Sequence, residues 1–331
     1  MIVSARQETR VPDDALSAIF VDTRQTVRTF EGVEELLRNP RTQNHARAMS
    51  ILGPARCGKT QIVREYVARR DDEAKRGVRA APEVAMVEVP GGATLKTIAT
   101  ETLSALGDPD PDYGNQAART ERAARAIRDG GYDLIVFDEV HMLVDSETKK
   151  VLHNAAMWFT QMLNKGLCPL LLVGEESFRR VLANNAFLAG RSLPLPPIRP
   201  FDWRDRDDFA EFRYVLSQVE EGLGLPGRSG LVDAEVASRI CEACGGRFGV
   251  VELLLTHARE IARRRRHSCL TRDVLRDAVE DLRHLDLPFP FNPFDVEGDL
   301  GQASDEAAAR ARAGAIPREA KRGPGVSGVV A

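Results

Sequence analysis

With 331 residues, 43% apolar and 29% charged, the chain can bury a core and divide into one large and one smaller domain. Lys+Arg 46 against Asp+Glu 49 leaves a net charge of -3, which excludes a global polyanion-binding character and confines any nucleic-acid contact to a local basic face. No run approaches the roughly 18 apolar residues of a bilayer span. Met1–Asp14 lacks the plan of a secretory signal, and five cysteines suit a reducing cytoplasm better than a disulfide framework.

In chain order, residues 1–18 are polar and irregular. Thr29–Leu37 reads as an amphipathic helix closed by Asn39-Pro40. Ala48–Leu52 is a short apolar run ending at glycine, the pattern of a buried strand, and Gln61–Arg70 is a helix with Ile62, Val63, Tyr66 and Val67 on one face. Val84–Val89 is the next strand, followed after Pro90-Gly91-Gly92 by a helix through Leu106. A loop and a helix over Ala117–Arg128 come next, then a strand at Leu134–Phe137. A long helix over Glu147–Leu163 leads to a strand from Cys168 to Val173, ending at Gly174. Strands alternating with helices predict an α/β fold, a parallel sheet covered on both faces.

The proline-rich stretch Leu193–Pro200 marks the internal boundary. Beyond it, Asp205–Glu221, Asp233–Cys244, Val250–Arg266 and Thr271–Leu282 predict a small all-α lid. The expected division is residues 19–198 for the α/β domain, 199–284 for the helical domain and 285–331 for a Pro/Phe-rich segment and tail. From about Val296 the composition reads as a disordered or weakly helical tail. Cys241 and Cys244 form a single CxxC pair, read as ordinary helix residues because a zinc site needs four ligands.

Gly53-Pro54-Ala55-Arg56-Cys57-Gly58-Lys59-Thr60, with Gln61 following, stands between a strand and a helix. Glycines at this spacing let backbone N–H groups turn inward around phosphates, and the helix offers its positive end to the same anion. Lys59 is placed to reach the β/γ-phosphates of ATP, and the Thr60 hydroxyl to bind Mg²⁺. Leu134-Ile135-Val136-Phe137-Asp138-Glu139 delivers two carboxylates at a strand's C-terminal end, where parallel sheets place ligands. Asp138 is the candidate Mg²⁺ holder through water, and Glu139 the candidate base for the attacking water.

The strand before Glu175 ends where such ATPases usually carry a small polar sensor. An acid there would repel a γ-phosphate, which leaves Ser177, a water or weak sensing. Arg191 is the candidate arginine finger acting across a subunit interface, with Arg179 and Arg180 as rivals and a structural arginine as the plain alternative.

With these residues in hand, the chain resembles the TniB/TnsC family of transposition ATPases, AAA+ proteins related to origin-recognition initiators and functionally to the phage Mu target-selection protein. Besides the two general motifs, the likeness rests on Phe20–Arg24, Leu36–Pro40, Val87–Pro90, Leu103–Gly107, Asp138-Glu139-Val140-His141 and Leu188-Ala189-Gly190-Arg191. Two positions depart from the pattern. Glu175 stands where the family commonly has threonine, and Val250 where related sequences often carry arginine. Arg247 is the candidate substitute for the latter, and slow hydrolysis is the expectation.

The resemblance implies ATP-dependent assembly of a homo-oligomer, a ring or a helical filament, on double-stranded DNA with little sequence preference. It further implies handover of the target to a DDE-type transposase, with a TniQ-like adaptor as a further partner. Thr94 and Lys96 open a helix where related ATPases line a central channel, and Lys149 and Lys150 could add to it. An ordinary helix start with exposed lysines is the alternative. The arginine run Arg263–Arg266 complements its helix dipole, with a DNA or partner contact as the alternative. Phe289, Phe291 and Phe294, spaced by prolines, are expected to dock on the chain or a neighbour, or to recruit a partner. A protein-directed signalling or secretion ATPase and a replication initiator or loader are the competing functions.

Overall fold

Leu134–Phe137 sends alternate side chains to two faces, and because both sets are apolar the segment needs cover on each side. The computed structural model describes residues 16, 19–38, 46–144, 149–166, 168–283 and 291–314. In it, β3 (Leu134–Asp138) is buried throughout. It joins β1 (Ala48–Leu52), β2 (Val84–Glu88), β4 (Leu170–Gly174) and β5 (Ser192–Leu193) in a parallel sheet of order β2-β3-β4-β1-β5.

Helices α1 (Arg24–Arg38) and α2 (Lys59–Lys75) carry Val33, Leu36, Ile62, Val63 and Tyr66 into one core with Met49, Ile51, Leu134, Val136, Leu171 and Val173. The alternate strand residues Ala48, Leu52, Ile135, Phe137, Leu170 and Leu172 form a second core. It includes α3 (Leu95–Ala105), α4 (Gln116–Asp129) and α5 (Lys149–Gly166). Each fully buried large apolar side chain contributes about 1.5–3 kcal/mol. Phe137 meets Trp158 edge-on at 5.6 Å and Phe159 at 5.4 Å, and Trp158 Nε1 donates to Thr120 Oγ1 at 3.1 Å. Trp158 is therefore a packing residue with its polar atom satisfied.

Two differences from the sequence reading have local causes. Helix α1 begins at Arg24 rather than Thr29, because Thr23 Oγ1 accepts the Thr26 N–H at 3.2 Å and caps it. After two short helices, α6 (Arg179–Ala183) and α7 (Ala186–Arg191), the sheet gains the short strand β5 beside Ala48 and Met49. Prolines 194, 196 and 197 cannot donate to a ladder, which suits a strand this short.

The chain divides into two compact units. One holds the described residues up to Phe201 with Arg247–Glu252, and the other holds Asp202–Gly246 with the described residues from Leu253 onward. The second is all helical in its regular structure: α8 (Arg206–Gly222), α9 (Ala234–Cys244), α10 (Phe248–Arg264, beyond its first turn), α11 (Arg272–Leu282) and α12 (Leu300–Gly314). Cys241 and Cys244 lie buried in α9, and burial pushes the Cys241 thiol up to about 12. No cluster of three or more metal-ligating side chains occurs among the described residues.

Phe294 is 3% exposed and docks within the second unit. Asn292 Nδ2 donates to the Arg276 carbonyl at 2.9 Å, while Arg272 Nη2 donates to the Phe294 carbonyl at 2.9 Å. Arg239 Nη1 donates to the carbonyls of Pro293 and Val296. Within the stretch read as tail, α12 is a formed helix. Asp299 Oδ1 accepts the Gly301 N–H at 2.7 Å, the alanine-rich run favours helix, and Arg204 pairs with Asp305 at 2.8 Å. Asn39-Pro40, Phe289 and residues 315–331 lie outside the described residues, as do most of residues 1–18.

Candidate nucleotide site

The strand register places three chain exits on one edge of the sheet. Leu52 pairs with Gly174 and Phe137 with Leu172, so Gly53 and Glu175 just beyond their strands, and Asp138 as the last residue of β3, all lie at the strands' C-terminal ends. β1 and β3 flank β4 and so lie about 10 Å apart. Gly53 N–H donates to Gly174 O at 3.2 Å, fixing the start of the loop against β4.

Gly58 has φ 83, a left-handed conformation that glycine adopts at little cost, and a Cβ there would meet nothing within 4 Å. Arg56 is also left-handed, at φ 62. No side chain caps α2, so the first-turn amides of Lys59, Thr60 and Gln61 have no intrahelical acceptor and offer a positive end to an anion. Lys59, 7% exposed, is folded over the loop: Nζ donates to Gly53 O at 3.0 Å and Pro54 O at 2.8 Å. Burial pushes the Cys57 thiol up, opposed by the charges of Lys59 and Arg247, so Arg247 is felt at the loop. Its neighbour Gly249 donates its N–H to Arg56 O at 2.9 Å, and Arg247 Nε is buried without a hydrogen-bond partner among the described residues. Val250, three residues on, is buried.

Asp138 is 7% exposed, its Oδ1 accepts the Glu139 N–H at 2.9 Å, and no cationic side chain pairs with it among the described residues. A carboxylate buried without a cation is costly, and a divalent ion beside it would offset that cost, so Asp138 with the Thr60 hydroxyl fits a magnesium site. Glu139 has φ 57, which for a residue with a Cβ costs about 1–2 kcal/mol. The left-handed step turns the chain off β3 into a 3-10 turn, Val140–Val144.

That turn brings in a residue to which the sequence reading assigned no role. His141 Nδ1 lies 3.2 Å from Glu139 Oε2, at ion-pair distance though without hydrogen-bond alignment, and Nε2 lies 3.8 Å from Glu175 Oε1. The acid-acid-x-His pattern was the available signal. Its meeting with Glu175 depends on β4 lying next to β3.

Arg191 ends α7, half-buried, and its Nη1 donates to Asn164 Oδ1 on α5. Arg179 pairs with Glu176, and Arg180 Nε donates to Ser177 O at 3.4 Å. Thr94 and Lys96 are exposed at the start of α3, where Thr94 Oγ1 accepts the Thr97 N–H at 3.2 Å, so Thr94 also caps the helix. Thr94 lines a groove of about 1030 Å³ with Leu95, Trp158 and Lys165. Lys150 is exposed on α5, and the Lys149 side chain lies outside the described residues.

A parallel sheet with a glycine loop before α2, an acid pair ending β3 and a helical second unit defines an AAA+ ATPase. More narrowly, the chain belongs to the TniB family: the family model described as "Bacterial TniB protein" matches residues 16–197. No curated protein matches the chain. Among solved structures, Cdc6p from Pyrobaculum aerophilum is similar at 16% identity and TM-score 0.60, covering 82% of this chain and 71% of that one. The Aeropyrum pernix ORC1 protein, solved in complex with DNA, is similar at 18% identity and TM-score 0.60, covering 82% and 69%. The Aeropyrum pernix ORC2 protein, solved in ADPNP–ADP complexes, gives 16% identity and TM-score 0.58, covering 82% and 71%. At these identities the likeness shows the fold alone.

Proposed function

We propose that the chain is an ATP-dependent regulator of DNA transposition. It binds ATP with Mg²⁺, assembles as a homo-oligomer on double-stranded DNA largely without sequence preference, and recruits or activates a DDE-type transposase. A TniQ-like adaptor is a further partner. The observation that carries this reading is Lys59 and the Asp138–Glu139 pair on one sheet edge of a TniB-family chain.

Lys59 exchanges the carbonyls of Gly53 and Pro54 for the β/γ-phosphates, within a cradle formed by the backbone of residues 53–61. Thr60 and Asp138 hold the magnesium ion, which when bound neutralises developing phosphate charge. Glu139 takes the proton of the attacking water. Arg247 reaches the nucleotide from its own chain, and Arg191 is supplied to a neighbouring copy's site. Thr94, Lys96, Lys149 and Lys150 touch the DNA backbone, which gives affinity without base reading. No helix among the described residues is long and apolar enough to cross a membrane.

Turnover of ATP measured with and without duplex DNA tests the reading. The expected result is turnover that DNA stimulates. Turnover indifferent to DNA would instead favour a protein-directed ATPase.

A further inference from the structure

The imidazole of His141, its side chain 13% exposed, sits between two carboxylates that are each 40% exposed. One belongs to Glu139 at the end of β3 and the other to Glu175 just beyond β4. The ring is held from the backbone side. Met142 N–H donates to Glu139 O at 2.9 Å, closing the turn, and the neighbours Val140 and Leu143 are buried. Close packing against β4 fixes the turn further, since a Cβ on Gly174 would stand 2.9 Å from Val140 Cγ2 and 3.2 Å from the His141 backbone nitrogen. His141 therefore has little freedom, whereas the Glu139 side chain is half in solvent and has no partner other than this ring among the described residues.

We propose that His141 is the positioning residue for Glu139, and that the Glu175 carboxylate, 3.8 Å from the other ring nitrogen, acts on the same ring; the proposal rests on the ATPase reading above. A carboxylate base works only when it is held within hydrogen-bond reach of the water. At 3.2 Å, a small turn of the Glu139 carboxylate aligns Oε2 with the Nδ1–H of His141, which limits its rotamers and leaves Oε1 to accept the water's proton. The water oxygen then bonds to the γ-phosphorus as the bond to the bridging oxygen of ADP breaks. Glu175, drawn to the same ring, turns away from the phosphate it would otherwise repel. This accounts for how an acid is accommodated where a small polar sensor was expected. It also makes Glu139 responsive to the end of β4.

The test is steady-state ATP turnover together with ATP affinity from a fluorescent analogue, on the full chain with Mg²⁺. His141→Ala should lower kcat roughly tenfold to hundredfold while the analogue's Kd stays within about twofold. His141→Asn, which keeps a donor, should recover a clear part of the loss. Glu175→Gln should change kcat in the wild-type background and leave it unchanged in His141→Ala, the signature of a shared partner.

A His141→Ala protein with wild-type kcat overturns the proposal, as do equal losses in the Ala and Asn variants or a Glu175→Gln effect of the same size in both backgrounds. Wild-type protein that binds no ATP overturns the nucleotide-site reading itself, a result distinct from binding and turnover with no histidine effect.

Discussion

Lys59 Nζ stands 2.8 Å from the carbonyl oxygen of Pro54, so the loop that would hold a phosphate is closed on its own lysine. A buried ammonium needs acceptors, and the carbonyls of Gly53 and Pro54 supply them. Lys59→Ala is expected to weaken ATP binding at least a hundredfold and to abolish assembly. The fold should lose only on the order of 1–2 kcal/mol. Isothermal titration with ATP and urea denaturation on the same samples check both halves.

Glu139 has a different task, and its loss should separate binding from turnover. Glu139→Gln keeps the side chain's shape but cannot take a proton. ATP affinity should stay within a few-fold, kcat should fall at least a hundredfold, and DNA-bound assemblies should accumulate. Single-turnover hydrolysis and sedimentation with duplex DNA read the two effects. A variant that binds DNA no better than wild type with ATP would contradict nucleotide gating.

Much of this was legible because its physics is local. A glycine loop between an apolar strand and a helix, and two acids after Leu134–Phe137, follow from spacing and period alone. The contact of Glu175 with His141 was not legible. It depends on β4 lying next to β3, and strand order is a property of the whole sheet. The β5 strand is too short to show a period. Composition left the stretch from Val296 as disordered or weakly helical, and α12 takes the helical alternative, with Asp299 capping it and Arg204 pairing with Asp305.

Glu34 ties α1 to α2, accepting from Tyr66 Oη at 2.7 Å and Arg70 Nη1 at 2.6 Å, with Arg79 also on its carboxylate. Burial raises its pKa, but the hydrogen bonds from Tyr66, Arg79 and Arg70 outweigh that and hold it below the ordinary 4.5. A depressed folded-state pKa means the stabilisation is complete above about that value and is lost as pH falls through the lower one. Glu34→Gln should cost about 2–3 kcal/mol at pH 7, since it removes the nearer of the two carboxylates paired with Arg70 and leaves only Glu73 at 3.6 Å, and the gap should narrow below about pH 4. Guanidinium denaturation at pH 7 and pH 3.5 tests this. An equal gap at both would remove the charge from the explanation.

Phe294 is the anchor of the segment after α11, and two helices hold that segment's backbone and Asn292: α9 through Arg239, and α11 through Arg272 and the Arg276 carbonyl. Phe294→Ala should destabilise the second unit by about 3–4 kcal/mol. The variant should show early proteolytic cleavage between α11 and α12, with ATP binding retained. Limited trypsin digestion followed by mass measurement detects it.

Duplex DNA binding by the purified protein, with and without ATP and Mg²⁺ at two salt concentrations, addresses the central claim most directly. The account predicts binding that requires ATP, weakens steeply with salt and varies little between unrelated DNA sequences. Absence of DNA binding in every nucleotide state, by protein that demonstrably binds ATP, would contradict it.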